Sequence, residues 1–206
     1  MKNSVIKILF LACLFSCISN NIYSQLNVGL RDVRYAYIGY EFKNDWETKL
    51  EHSIYSEKFG FQKIRAYMAY HHTWGNFTLK ANAYGSTLWN ADYQDFGTNI
   101  SAGYKLLKPW NIEAVVNPHY DTDYKYKTYF TVSTDVQIIK NLGIIAQYTT
   151  IPEYRLSEKR VRAGLIFSYG GLSVTPMLSI PVDGTVKSLR VLCGFEYKFK
   201  FKKNKE

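Results

Sequence analysis

The chain consists of runs of about ten residues in which apolar and polar side chains alternate. Between Lys63 and Tyr70, for example, apolar or small residues at even positions alternate with charged or polar ones. A strand places successive side chains on opposite faces, so each run predicts a strand with one apolar and one polar face. There are about eleven such runs, and a twelfth, shorter candidate at Leu26–Leu30. No window shows a sustained helical period with caps, so the sequence predicts an all-β protein.

The connections between the runs alternate in length along the chain. Tight turns at Lys43–Asp45, Gly75–Asn76, Lys108–Pro109, Lys140–Asn141 and Gly170–Gly171 are separated by longer links such as Asn90–Gly97. Membrane barrels have short periplasmic turns and longer external loops. In lipid only a closed barrel satisfies every backbone group of a sheet. We therefore predict a transmembrane antiparallel up-and-down β-barrel of about 10–12 strands, with both chain ends on the periplasmic side.

The prolines test this prediction, because a proline within a strand removes one ladder hydrogen bond. Pro118, Pro152 and Pro181 fall near the loop-side ends of their runs, where the loss is tolerable. Pro176 falls in the middle of its run, and there we expect a bulge or a local break.

The first 24 residues have the order of a secretory signal peptide. Lys2 and Lys7 accompany an apolar stretch that ends at Phe15, and small polar residues lead to Ser24. The apolar stretch is too short to span a bilayer as a helix. We predict a signal peptide over residues 1–24 and an outer-membrane β-barrel domain over residues 25–206. A lipoprotein cut before Cys17 is the alternative.

The last run, Arg190–Phe201, contains Gly194 followed by alternating aromatics that include Tyr197 and Phe199. It resembles the carboxyl-terminal insertion signal of Gram-negative outer-membrane barrels. The resemblance implies an outer-membrane location, contact with outer-membrane lipid and insertion by the barrel-assembly machinery. The sequence departs from that pattern because residues 202–206 follow the last aromatic. In size and strand length the chain is also similar to the small monomeric oligosaccharide porins that admit acidic sugars.

In each run the apolar side chains share one parity of residue number, odd or even, and these side chains predict the lipid-facing wall of the barrel. Trp46, Trp74 and Trp110 all lie beside tight turns, where an interfacial aromatic girdle is expected. Eight apolar residues on this parity are predicted to face lipid: Ile38, Met68, Leu79, Ala114, Val132, Ile144, Leu165 and Val191.

The polar parity predicts the inner wall, where bases exceed acids. The pairs Lys63/Arg65 and Arg160/Arg162 place two bases on one face, and unmatched bases would attract anions. This favours a narrow passive channel with a mild preference for small anionic solutes. The candidate lumen-lining residues are Lys63, Arg65, Lys80, Lys105, Arg160, Arg162 and Arg190.

Two alternatives remain open at this point. If the charges pair across strands, the barrel is closed and structural, and its surface loops, such as Asp121–Lys127, bind a partner or ligand. If the aromatic side chains of the runs face the inside of the barrel instead, the chain is a soluble exported lipocalin-like β-barrel.

The sequence carries no catalytic or metal-binding motif. It has no Gly-x-Ser-x-Gly, no phosphate-binding glycine loop and no His-Glu-x-x-His. His119 and Asp121 share a face near the mouth, but His71 and His72 point to opposite faces. Only Cys193 follows the signal peptide, which excludes an internal disulfide and a cysteine zinc site. The bases are spread along the strands, so we expect no enzyme, no cofactor and no nucleic-acid partner.

Overall fold

The computed structural model describes residues 25–32, 35–42, 45–53, 63–88, 92–123, 125–153, 156–183 and 188–200. Residues 1–24, with the predicted signal peptide and Cys17, lie outside this part of the chain, as do residues 202–206. Within the described ranges, no helix is long and apolar enough to cross a membrane. These ranges form twelve strands: β1 (Gln25–Arg31), β2 (Tyr35–Glu41), β3 (Trp46–Ser53), β4 (Lys63–Trp74), β5 (Phe77–Leu88), β6 (Gln94–Leu107), β7 (Trp110–Asp121), β8 (Lys125–Ile139), β9 (Leu142–Glu153), β10 (Leu156–Tyr169), β11 (Leu172–Asp183) and β12 (Arg190–Lys200).

Every strand pairs antiparallel with the next one, and β1 pairs with β12 to close a barrel. The closing seam runs from Gln25↔Lys200 to Leu30↔Phe195. The prediction of an all-β, transmembrane up-and-down barrel is therefore confirmed, with twelve strands. The short candidate at Leu26–Leu30 is the first of them.

The two ends of the barrel differ in their connections. Five hairpins close at one end, which also holds Gln25 and Lys200, and we call it the tight-turn end. The opposite, loop end holds the remaining connections. At the tight-turn end Gly75, Gly170 and Gly171 have φ of 59°, 57° and 100°. Hairpin turns that match the strand twist require such positive φ values, which glycine adopts without strain.

Among the tight turns that the structure describes in full, two contain no glycine, and each of their hairpins contains a bulge. The turns Lys108–Pro109 and Lys140–Asn141 have no residue with positive φ. The register shifts just before them, between Lys105 and Leu107 in β6 and between Gln137 and Ile139 in β8. Each strand thus takes up one extra residue, Leu106 or Ile138, because the glycine-type turn is not available.

The sequence predicts a bulge or a local break at Pro176, and the structure has the local break. β11 runs through Pro176 with an unchanged register, from Gly164↔Met177 to Phe167↔Val174. The pairs between these two positions are missing, since proline has no N–H to donate to β10. The register shift of this hairpin lies instead between Lys159 and Arg160.

The apolar residues of this protein lie on the outside of the barrel. All eight residues predicted to face lipid are exposed, from 39% for Leu79 to 77% for Val191. The aromatic parity of β12 lies outside as well, so the lipocalin-like alternative is wrong. Among the described residues, the only buried apolar side chains are Ala69, Tyr84 and Leu192. An apolar exterior around a polar interior is the arrangement of a barrel that spans lipid.

Candidate functional site

The inner wall of the barrel is lined by polar side chains that join strands two apart. Arg65 of β4 pairs in register with Ser86 of β5, and Ser86 pairs with Asp95 of β6. Because Ser86 is small, the Arg65 side chain extends over it, and its Nη2 lies 3.0 Å from Asp95 Oδ2. Lys63 Nζ binds the same carboxylate oxygen. Two bases of one strand are therefore neutralised by one acid of another.

Asp95 also contacts the histidine of the adjacent strand. His119 Nδ1 lies 3.2 Å from Asp95 Oδ1 and 2.8 Å from the Tyr84 hydroxyl. His119 Nε2 lies 3.0 Å from Asp121 Oδ2, so these two residues, which share a face in the sequence pattern, are in contact. Asp95, His119 and Asp121 are all buried. Carboxylates and a tyrosine contact both imidazole nitrogens, which makes this cluster a hydrogen-bonded support of the wall.

Two tyrosines lie flat over glycines of the neighbouring strand. The Tyr84 ring covers Gly97, where an added Cβ would lie 2.6 Å from Tyr84 Cζ. The Tyr37 ring covers Gly29 in the same way, also at 2.6 Å from Cζ. Tyr37 then reaches over β1 and donates a 2.8 Å hydrogen bond to Glu196 of β12. This hydrogen bond ties β2 to β12 across the closing seam.

Three further bases, on β1, β5 and β12, also have acidic partners. Arg31 donates two hydrogen bonds to Glu51, at 2.7 and 3.0 Å. Lys80 Nζ lies 2.6 Å from Glu47 Oε2. Lys198 Nζ lies 3.4 Å from Glu196 and 3.7 Å from Glu41. Lys63, Arg65 and Lys80 therefore face the interior with acidic partners, because short side chains on the intervening strands let bases and acids meet.

Arg160 and Arg162 face inward from β10, but the structure gives Arg160 a structural role. Arg160 is only 1% exposed. Its Nε donates to Ser179 Oγ at 2.8 Å, and its Nη2 donates to the carbonyl oxygens of Ser179 and Ser188 at 2.9 and 2.8 Å. It thus joins β10 to β11 and to the segment before β12. Arg190 of β12 lies opposite Ser179 in register, on the same wall.

A polar cavity of about 430 Å³ lies inside the tight-turn end of the barrel. Its wall holds the Lys80–Glu47 ion pair and a 2.8 Å hydrogen bond from Asn111 to Asp135. Lys105, the remaining predicted lumen residue, lines the same cavity and is exposed. Ionised groups and amides on the wall of this cavity favour water over apolar molecules as its content.

The three tryptophans predicted to form an interfacial girdle lie at the tight-turn end with their rings exposed. Trp46 packs against Tyr70 with ring centroids 5.2 Å apart, and Trp74 lies 4.5 Å from the ring of His72. The Trp110 Nε1 donates a 2.7 Å hydrogen bond to Thr134. Their role as membrane anchors stays a prediction.

The residues of the predicted insertion signal all lie on β12. Gly194 is on the inner parity, opposite Thr175 of β11. Tyr197 and Phe199 are exposed on the outer wall, and their rings form an edge contact with centroids 4.6 Å apart. Recognition of this strand by the assembly machinery stays a prediction.

Sequence reasoning missed Asp95, the acid that contacts Lys63, Arg65 and His119. Asp95 falls within Asn90–Gly97, which the sequence analysis assigned to a loop, whereas β6 begins at Gln94. The alternation of Phe96, Thr98 and Ile100 extends back to Asp95 and assigns it to the inner face. The contact with Lys63 and Arg65 has no sequence signal of its own, because it depends on which strands close up beside each other.

No known family model matches the sequence, and no curated protein does either. Solved structures do share the architecture. A KdgM porin in complex with disordered oligogalacturonate is 9% identical, with a TM-score of 0.67 over 86% of this chain and 99% of that one. A second KdgM porin structure has a TM-score of 0.63 at 8% identity, with the same coverage. The NanC porin has a TM-score of 0.56 at 10% identity, over 87% of this chain and 99% of that one. At such identities the likeness establishes a shared barrel fold.

Proposed function

We propose that this protein is a non-enzymatic outer-membrane barrel that works as a narrow passive channel for small hydrophilic solutes. In this proposal residues 1–24 direct export and are removed, and the barrel-assembly machinery inserts the rest. The observation that carries it is the combination of an apolar outer wall with an ionised inner wall around a polar cavity of about 430 Å³. The shared fold with the KdgM and NanC porins supports the same function.

The finer part of the proposal is a mild preference for small anions. Among the described residues, inward-facing bases outnumber inward-facing acids. Charge inside a low-dielectric wall acts over a longer range than charge in water, so a small excess biases the traffic of ions. The bases are Arg31, Lys49, Lys63, Arg65, Lys80, Lys105, Lys127, Arg160, Arg162, Arg190 and Lys198, and the acids are Glu41, Glu47, Glu51, Asp95, Glu113, Asp121, Asp135 and Glu196.

Planar-bilayer recording of the purified, folded protein tests both parts. We expect reproducible small current steps and, in a salt gradient, a reversal potential on the anion-selective side. Lys198→Gln should move that potential towards cation selectivity, because Lys198 faces the lumen with 41% of its side chain exposed. Lys108→Gln is the matched control, since Lys108 lies on a turn outside the inner wall. Arg160 is unsuitable for this test because its buried guanidinium holds strands together.

A closed structural barrel is the second candidate, and burial near the loop end favours it. Glu51, Asp95 and His119 are between 1% and 7% exposed, so side chains fill this part of the interior. In that case the loop-end surface, including Asp121–Lys127, would bind a partner or ligand. A folded, heat-modifiable barrel that gives no current steps would support this candidate and rule out the channel. Cell fractionation tests the location, since recovery in the soluble periplasmic fraction would contradict an outer-membrane barrel.

A further inference from the structure

The two bulged hairpins, β6–β7 and β8–β9, form one apolar surface at the tight-turn end. Each bulge places two consecutive apolar residues beside the turn, Leu106 and Leu107 in one hairpin and Ile138 and Ile139 in the other. These four side chains are 42%, 63%, 56% and 62% exposed. Trp110 lies between them, since it pairs with Leu107 on one side and with Val136 on the other. We call these five residues the bulge patch.

A lysine follows each apolar pair, Lys108 after Leu107 and Lys140 after Ile139, and both lysines are exposed. The two hairpins are neighbours, because β7 pairs with β8. Pro109 accepts a hydrogen bond from Gln137, about three residues before the second turn, so the turns are about 14 Å apart, two strand spacings across and three residues along. The outer parity of β6–β9 carries no charged side chain among the described residues, so no acid of this wall neutralises the lysines.

The other two described tight turns lack this chemistry. Gly75–Asn76 and Gly170–Gly171 close their hairpins without a bulge beside the turn, and neither turn contains a lysine. Trp74 and Phe77 are exposed beside the first of them, so aromatic contact with the interface occurs around the rim. Positive charge combined with paired aliphatic side chains occurs at the bulge patch alone, among the turns that the structure describes.

We propose that the bulge patch is a binding site for an anionic phospholipid, with Lys108 and Lys140 holding its phosphate and the aliphatic pairs contacting its acyl chains. The charge complementarity selects this occupant, because a lysine near a lipid surface favours an anionic headgroup by about a factor of five. The aliphatic pairs lie where the headgroup region meets the hydrocarbon, so they hold both lysines at the depth of the phosphates.

Quenching of Trp110 fluorescence by brominated lipids tests the proposal at the site itself. Replacing Trp46, Trp74 and Trp89 with Phe leaves Trp110 as the reporter, and the folded barrel is placed in vesicles. We expect brominated phosphatidylglycerol to bind near Trp110 several-fold more tightly than brominated phosphatidylcholine. Lys108→Gln with Lys140→Gln should bring that ratio close to one.

A protein that keeps only Trp74 is the matched control, because Trp74 lies beside a turn without a lysine, where a ratio close to one is expected. Equal ratios at the two tryptophans, or a Trp110 ratio unchanged by the lysine substitutions, would overturn the proposal. So would a Trp110 that neither lipid quenches, because a second copy of the chain would then cover the patch. Native mass spectrometry of the protein with all four tryptophans measures how much phosphatidylglycerol it retains, without any tryptophan replacement. If the two lysine substitutions leave this retention unchanged, the site is refuted as well.

Discussion

Adjacent residues on β8 offer a direct test of which wall faces lipid. Val132 is 48% exposed on the outer wall, and its neighbour Ser133 faces the lumen. β8 has 15 residues, and Val132 is its eighth, so seven residues lie on either side. At a rise of about 3.3 Å per residue and a tilt of about 40°, either end of β8 is about 18 Å from Val132 along the membrane normal. Val132 therefore lies close to the middle of the bilayer.

From this depth we expect Val132→Arg to lower the free energy of unfolding by about 2–4 kcal/mol, the cost of arginine at the midplane of a barrel. Ser133→Arg should cost less than about 1 kcal/mol, because the new side chain enters the polar interior opposite Glu113. Tyr126→Arg is the depth control. Tyr126 is outward-facing and 66% exposed, six residues towards the loop end, where the cost falls to about 0–1 kcal/mol.

Reversible urea unfolding from phosphatidylcholine vesicles, followed by tryptophan fluorescence, measures the three free energies. Heat-modifiable gel migration confirms that each variant starts folded. If Val132→Arg and Ser133→Arg destabilise equally, the assignment of the two faces fails. If Val132→Arg costs no more than Tyr126→Arg, the position of the bilayer along β8 is wrong.

Two further perturbations test the seam and Asp95. Gly29→Ala should sharply lower the heat-modifiable folded fraction, because the new Cβ would meet the Tyr37 ring and the carbonyl oxygen of Phe195. Gly39→Ala is the control and should fold nearly normally, because the nearest atom to its new Cβ is 3.4 Å away. Similar folded fractions for the two would refute the seam contact. Asp95→Asn should raise anion selectivity in the bilayer assay, because it removes the acid that neutralises Lys63 and Arg65. A reversal potential that stays constant, or moves towards cations, would contradict that role.

The parts of the fold that depend on the two-residue alternation of side chains and on the length and residue types of the turns could be predicted from the sequence. Alternation assigned Met68 and Val132 to the outer wall, and the link lengths distinguished the two ends. Of the bulge or local break expected at Pro176, the structure has the local break, and the register is kept because β11 stays paired with β12 where its pairing with β10 is interrupted. The bulges at Leu106 and Ile138 were missed, although turns without glycine in the two hairpins are a signal for them.

The interior was less predictable, because parity reports the face of a side chain but not its partner. Lys63 and Arg65 are near neighbours in sequence, and the pattern suggested a basic stripe. Their partner Asp95 is 30 and 32 residues away, on a strand that touches theirs only through β5. No local pattern encodes this pairing, which needs the register of three strands at once.

Small residues on the intervening strands decide which interior groups can meet. Ser86 lies beneath the Arg65–Asp95 contact, Gly29 beneath the Tyr37–Glu196 contact and Gly97 beneath the Tyr84–His119 contact. A larger residue at any of these positions would force the long side chain into the lumen, unpaired. The open volume and the net field of the interior therefore depend as much on the placement of glycine and serine as on the charged residues themselves. In a twelve-strand barrel of this size, the small residues of the wall thus help to set both the width of the lumen and the charge that a passing solute meets.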